Sequence, residues 1–261
     1  MNKSICGTSQ FKIKVYRLIS NLYMHFGLRY LTISAKLYNK DLFFYIPTMF
    51  GEGILDNFEH VLVDCDYYKL SDFIPRRGHI ILDIGAFIGF YSISSSMLTC
   101  IEGMVYSIEP NREVLPWLYI NMYINKAQNI RILPVAICPE SGFKSLYIAN
   151  YPAISSLSRD YVEQFDHDFK TIEVKCVKLS NILKLLGYVD ILKMDIEGLE
   201  LDVLKESASE LWRTRKIVIE THPGAIDPSE VELYLVKAGF RKIVTYTSSE
   251  MLNQVILYGL K

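Results

Sequence analysis

The sequence predicts an α/β fold: a mainly parallel, doubly wound sheet over residues 76–261, preceded by a helical and mixed extension over residues 1–75. After Gly78, short apolar runs of strand length alternate with helix-length stretches, the rhythm of a parallel sheet covered by helices. Half of the residues are apolar, enough for a sizeable core. The first apolar run ends in the turn Asp83-Ile84-Gly85-Ala86-Phe87-Ile88-Gly89, where glycines let a strand pass sharply into a helix.

In the extension, Phe11, Val15, Leu18, Ile19, Leu22 and Phe26 recur at helical spacing and predict an amphipathic helix. Turn signals at Pro47, Gly51, Gly53 and Pro75 divide the rest of the extension, with short strands expected around Phe43–Ile46 and His60–Cys65. His79–Ile84 then reads as a buried strand, Ile88–Thr99 as a helix and Met104–Ile108 as a second strand. Val114–Asn125 is a helix with Pro116 in its first turn, where a missing N–H does least harm. Ile130–Ile137 is a third strand. Phe143–Ala149 and Thr171–Leu179 alternate apolar and polar residues, as half-exposed antiparallel strands do, and flank a polar loop. A helix at Ser180–Leu186, a buried strand at Val189–Met194, a helix at Glu200–Ser207 and a fifth parallel strand at Lys216–Glu220 complete the alternation. Ser229 and Glu232 fit a capping box for a helix stopping at Gly239. Arg241–Thr247 and Gln254–Tyr258 close the chain as an antiparallel pair.

Sheets of this kind bind ligands at the carboxyl ends of their strands. The turn at Asp83 lacks two of the three glycines of a dinucleotide fingerprint, because Asp83 and Ile88 stand in their places. A pyrophosphate is therefore not expected there. An acidic residue beside free N–H groups suits a phosphate-free, positively charged ligand; the alternative is a tight structural connection. Glu109 ends the second strand, placed to accept both hydroxyls of a ribose, or to start a helix in a turn with Pro110 and Asn111.

In Lys193-Met194-Asp195-Ile196-Glu197-Gly198 the three charges share one side by period-two alternation. Charges at a buried strand end are costly unless paired or functional. Asp195 and Glu197 thus either face a reaction centre or belong to an ion-paired strand end with Lys193. His222, in Glu220-Thr221-His222, can take a proton from a hydroxyl near neutral pH, or be a satisfied loop residue. Asp195, Glu197, Glu220 and His222 could together bind a divalent ion, but no spacing demands it and no metal ligand is assigned.

The net charge of −1 is unevenly spread. Residues 1–40 hold seven Lys or Arg and no acid, against 21 basic and 29 acidic residues in the remainder. The acidic main part disfavours a nucleic-acid substrate. The basic start suits a peripheral membrane surface or an acidic partner, or docking on its own domain. No run of 18 apolar residues predicts a membrane span. Cys6, Cys65, Cys100, Cys138 and Cys176 are odd in number and lack a CxxC pair, which predicts reduced thiols and a cytoplasmic protein. Lys12, Lys14 and Arg17 interrupt what would have to be a signal peptide.

The segments ILDIGAFIGFYS, YSIEPN, NMYIN, DILKMDIEGLE and IVIETH occur in that order between Ile80 and His222, and together they resemble the FkbM family of class I methyltransferases. The resemblance implies a Rossmann-like, seven-stranded sheet with an inserted antiparallel strand pair. It also implies S-adenosyl-L-methionine as donor and O-methylation of a hydroxyl on a sugar, glycan or small natural product. By position, Asp83, Gly85, Ala86 and Gly89 would line the methionine part, Glu109 would hold the ribose and Ala136 would lie near the adenine. Asp195 and Glu197 would reach toward the acceptor, with His222 as a further catalytic candidate. Phe87 stands where the family often has Asn, and the Ser155-Ser156-Leu157 loop fits the family. The first 75 residues carry no such motif, which leaves the acceptor open. An NAD-type oxidoreductase and a non-catalytic binding protein are the alternatives on a similar sheet.

Overall fold

A computed structural model describes residues 29–38, 40–51, 53–222, 224–247 and 254–261. The expected amphipathic helix at Phe11–Phe26 lies outside them, as do Lys3, Lys12, Lys14 and Arg17. The described chain starts with an antiparallel hairpin of β1 (Tyr30–Leu37) and β2 (Lys40–Pro47), followed by α1 (Gly53–Leu62). Leu31, Ile33, Ala35 and Leu37 alternate inward along β1, as strand geometry requires. In α1 the buried side chains are Ile54, Leu55, Phe58, His60, Val61 and Leu62, a helical stripe. The strand expected at His60–Cys65 is therefore not formed. Its short apolar run suits either period, and the stripe beginning at Ile54 decides for helix.

The central unit runs through β3 (Ile80–Ile84), α2 (Phe90–Thr99), β4 (Met104–Ile108), α3 (Leu115–Ile124) and β5 (Ile130–Leu133). An insert comes next: β6 (Ala136–Ile137), β7 (Gly142–Ile148), β8 (Ser155–Ser156), α4 (Arg159–Glu163) and β9 (Lys170–Val177). The chain returns through α5 (Leu179–Leu186), β10 (Val189–Met194), α6 (Glu200–Ser207), β11 (Thr214–Thr221), α7 (Pro228–Lys237), β12 (Lys242–Thr247) and β13 (Val255–Leu260). The main sheet has seven strands in the order β12-β13-β11-β10-β3-β4-β5. From β11 to β5 the strands are parallel, and β13 runs antiparallel to both of its neighbours. The winding reverses between β3 and β10, the place where a doubly wound sheet opens a crevice.

The structure corrects three further expectations. Ile130–Ile137 is not one strand: β5 stops before Pro134, which has no N–H for the ladder, and β6 joins the second sheet, order β6-β9-β7-β8. Helix α7 is capped by Asp227, whose carboxylate accepts the Ser229 N–H at 2.9 Å, with Pro228 in the first turn; a proline there pre-sets the helical φ, so the start precedes the expected Ser229. The cysteines are not all reduced. Cys138 and Cys176 form a disulfide, Cys65 is disulfide-bonded as well, and Cys100 is free. The bridge spans 38 positions and becomes visible only once β6 pairs with β9. The thiol argument for a cytoplasmic location falls with it. No described helix is long and apolar enough to cross a membrane.

The extension shares a core with one face of the main sheet: Leu31, Phe44, Phe58, Ile81, Phe90, Ile191 and Tyr258 belong to a single buried cluster. Two amides on α3 clamp β2. Asn121 Oδ1 accepts the Tyr45 N–H at 2.7 Å, and Asn125 Nδ2 donates to the Phe43 carbonyl at 2.6 Å. The opposite face packs Leu82, Leu192, Met194 and Ile217 against α5, α6 and α7.

Candidate active site

A pocket opens at the reversal, over the carboxyl ends of β3, β4 and β10. Its wall includes Gly85, Ala86 and Phe87 after β3, Glu109 after β4, Ala136 from β6, and Asp195 and Glu197 after β10; Tyr67 and Ser156 close it from the extension and the insert. Gly85 adopts φ +79°, and a Cβ there would lie 1.8 Å from the Asp195 carbonyl oxygen. Its lack of a side chain lets the β3 loop press against the end of β10. Phe87 and Glu197 hold φ +50° and +58°, a left-handed conformation that bulky residues adopt rarely.

Two expected cofactor residues lie beneath this wall. Asp83 is fully buried, accepts the Ser92 hydroxyl and sits 3.5 Å from Lys193 Nζ; burial pushes its carboxyl up despite Lys193. Gly89 serves packing, since a Cβ would meet Leu118 of α3 at 2.5 Å. Lys193 ties the floor together: Nζ donates to the Gly85 carbonyl at 2.9 Å and to Asp195 at 3.3 Å, over the face of Tyr67. Burial would lower its pKa, but Asp195 and Asp83 outweigh that and raise it. Glu109 is nearly buried and accepts the Phe87 and Asn111 N–H groups at 2.9 and 2.8 Å. Burial pushes it up to about 7 against those two donors.

Behind the pocket stand two buried histidines. The His60 ring has a carboxylate at each nitrogen, Asp66 at 2.7 Å on Nδ1 and Glu220 at 3.1 Å on Nε2. Burial opposes its charge, yet the pair raises His60 to about 10, and His60 together with His222 holds Glu220 down to about 2. The Tyr67 hydroxyl bridges toward the pocket, within reach of Glu220 and, at 3.1 Å, of Asp195. His222 is only 2% exposed, and neither ring nitrogen has a hydrogen-bond partner among the described residues. Its Nε2 lies 3.4 Å from both Asp195 Oδ1 and Glu197 Oε2, and its Nδ1 lies 3.5 Å from Glu200. Burial lowers its pKa, but Glu197, Glu200 and Asp195 outweigh that. Burial raises Glu197 to about 8, with His222 opposing and Asp195 adding to the rise. Tyr161 of α4 donates to Glu197. Glu200 accepts the N–H groups of Ile196 and Gly198, which fixes the loop after β10.

The structure thus brings Gly85, Ala86, Glu109, Ala136, Asp195 and Glu197 into one wall, with His222 directly behind. Sequence reasoning missed His60, Asp66, Tyr67 and Tyr161. They lie in the extension and the polar loop, outside every strand-end motif.

A match to the Methyltransferase FkbM domain spans residues 83–242. The chain belongs to the FkbM methyltransferase family. Methyltransferase sdnD of Sordaria araneosa is 28% identical over 191 residues, which cover 61% of this chain and 73% of that relative. Among solved structures, the T. Thermophilus 16S rRNA N2 G1207 methyltransferase (RsmC) in complex with AdoMet and guanosine superposes with a TM-score of 0.51 at 13% identity, covering 89% of this chain and 50% of that one. A SAM dependent methyltransferase from Aquifex aeolicus gives 0.45 at 16% identity, over 80% and 95%. The fold of this FkbM methyltransferase is that of class I enzymes, and the NAD-type oxidoreductase reading is set aside.

Proposed function

We propose that the pocket binds S-adenosyl-L-methionine and that the protein methylates a hydroxyl of a small-molecule or glycan acceptor. What supports the cofactor most is the buried Glu109 carboxylate in the pocket wall: two backbone donors occupy part of its capacity, and its remaining lone pairs suit a ribose diol. Ala86 and the Gly85 backbone would line the methionine end and Ala136 the base, while Asp83 and Gly89 act from below by shaping the loop. When bound, the cofactor supplies a methyl group on a sulfonium that leaves as a neutral thioether.

Asp195 and Glu197 would orient the acceptor hydroxyl, and Glu197 is the better proton acceptor near neutral pH because burial has raised it to about 8. His222 stabilises both carboxylates from behind. Orientation and exclusion of water supply most of the rate, with effective molarities up to roughly 10⁵–10⁸ M attainable, while a base adds about 10²–10⁴-fold. Calorimetry with S-adenosylmethionine and its demethylated product tests the cofactor, and absence of binding by either removes this reading. Mass spectrometry of glycan and small-molecule fractions, read for the gain of one methyl group, tests the acceptor; methylation confined to RNA would overturn that part.

A further inference from the structure

We propose that Asp195, Glu200 and His222 form a divalent-cation site on the acceptor side of the pocket, with Glu197 as an adjacent oxygen donor. This adds an ion to the methyl-transfer site and rests on that reading of the pocket. One donor atom from each of the three residues lies within 4.8 Å of the others. His222 carries the inference. Both of its ring nitrogens and Asp195 Oδ1 are buried without a hydrogen-bond partner among the described residues, although buried polar groups in folded proteins are nearly always paired. His60, in the same protein, is paired at both nitrogens. Around His222 the carboxylate oxygens of Asp195 and Glu197 instead stand off Nε2 at 3.4 Å each, and Glu200 stands off Nδ1 at 3.5 Å, beyond ordinary hydrogen-bond lengths.

At Nε2, the 3.4 Å stand-off of Asp195 and Glu197 is the spacing that an ion shared with that nitrogen would need. Two ligands about 2.1 Å from one ion lie roughly 3.0–3.4 Å apart at octahedral or tetrahedral angles. One imidazole among carboxylates suits a first-row ion such as Mn²⁺ or Zn²⁺ better than Ca²⁺. Glu200 is already oriented by the Ile196 and Gly198 N–H groups, the kind of outer support that metal ligands require. Because Asp195 and Glu197 line the pocket, an ion here would have a face open to an acceptor oxygen, and it would lower the proton affinity of a hydroxyl bound to it.

The test is titration of the chelator-treated full chain with Mn²⁺, read by loss of the free-ion electron paramagnetic resonance signal, and with Zn²⁺ by calorimetry. One saturable site per chain is expected. Affinity should fall by at least about tenfold in His222→Ala and in Asp195→Asn, with Asp202→Asn, an exposed carboxylate on α6, unchanged. Asp195→Asn decides alone if His222→Ala does not fold by thermal melting. No saturable binding of either ion below about 1 mM, or unaltered affinity in the folded variants, overturns the site. S-adenosylmethionine calorimetry on the same preparation keeps the two readings apart: nucleoside binding without ion binding removes the ion alone, and the reverse removes the methyl-transfer reading.

Discussion

The surroundings of His60 and of His222 are built from the same parts and finished differently. Each holds a buried imidazole among carboxylates, the two centres flank the end of β11, and Glu220 acts on both through hydrogen bonding to one and charge on the other. At His60 every ring nitrogen is paired at hydrogen-bond distance. At His222 three carboxylates approach and none closes. A closed network fixes structure, whereas one left open keeps binding capacity for something else.

The largest expected effect tests the open centre. His222→Ala should lower the methyl-transfer rate with the fold retained, by up to the roughly 10²–10⁴-fold that the Glu197 base it supports contributes, read as kcat in the mass-spectrometric assay beside a thermal melt. The closed centre should behave oppositely. His60→Gln takes from Glu220 its hydrogen-bonded cation and leaves Asp66 paired with Lys69, and breaking a buried ion pair costs about 3–5 kcal/mol, measured by chemical denaturation. A His222 variant as destabilised as the His60 variant, with its rate unchanged, would break the contrast.

The pH dependence sharpens it. His60 is raised from 6.5 to about 10, so its stabilising contribution is full below pH 6.5 and lost as pH rises through 10. Glu220 is lowered from 4.5 to about 2, so its contribution is full above pH 4.5 and lost as pH falls through 2. The fall in melting temperature between neutral pH and pH 10 should therefore flatten in His60→Gln.

The disulfide joining β6 to β9 lies apart from both histidines. Its double serine variant should lose about 3–4 kcal/mol through the loop it no longer closes, with kcat for the folded protein preserved. The smallest effect concerns Glu109. Its carboxylate form is the acceptor for ribose hydroxyls, so cofactor affinity should rise with pH through about 7. Glu109→Gln should weaken binding by about 1.5–3 kcal/mol and abolish that slope, both read by calorimetry.

The contrast also explains what could be read from the chain beforehand. Parallel strands announce themselves as apolar runs, and their ends carry Glu109, Asp195 and Glu197, so sheet and wall were legible. Asp83 and Gly89 were legible as a motif, but spacing could not say that they face the floor. Whether His222 is paired depends on distances of a few tenths of an ångström, which no pattern encodes. His60 and Tyr67 meet Glu220 across more than 150 positions, Asp66 joins them through His60, and nothing local marks them. The hairpin was half visible: the strand expected around Phe43–Ile46 lies within β2, whereas β1 was not anticipated, and the apolar end of α1 imitates a strand.

The contacts of Tyr67 and His60 with β11 bear on any attempt to re-engineer acceptor choice by grafting. The extension invites exchange between relatives, being the part without shared motifs. Yet it delivers a hydroxyl to Asp195 and a cation to Glu220, and Lys216 reaches back to the Asp72 carbonyl. A chimera joined near residue 75 would carry a mismatched lock into the interior unless residues 60–72 travelled with the strands they fit.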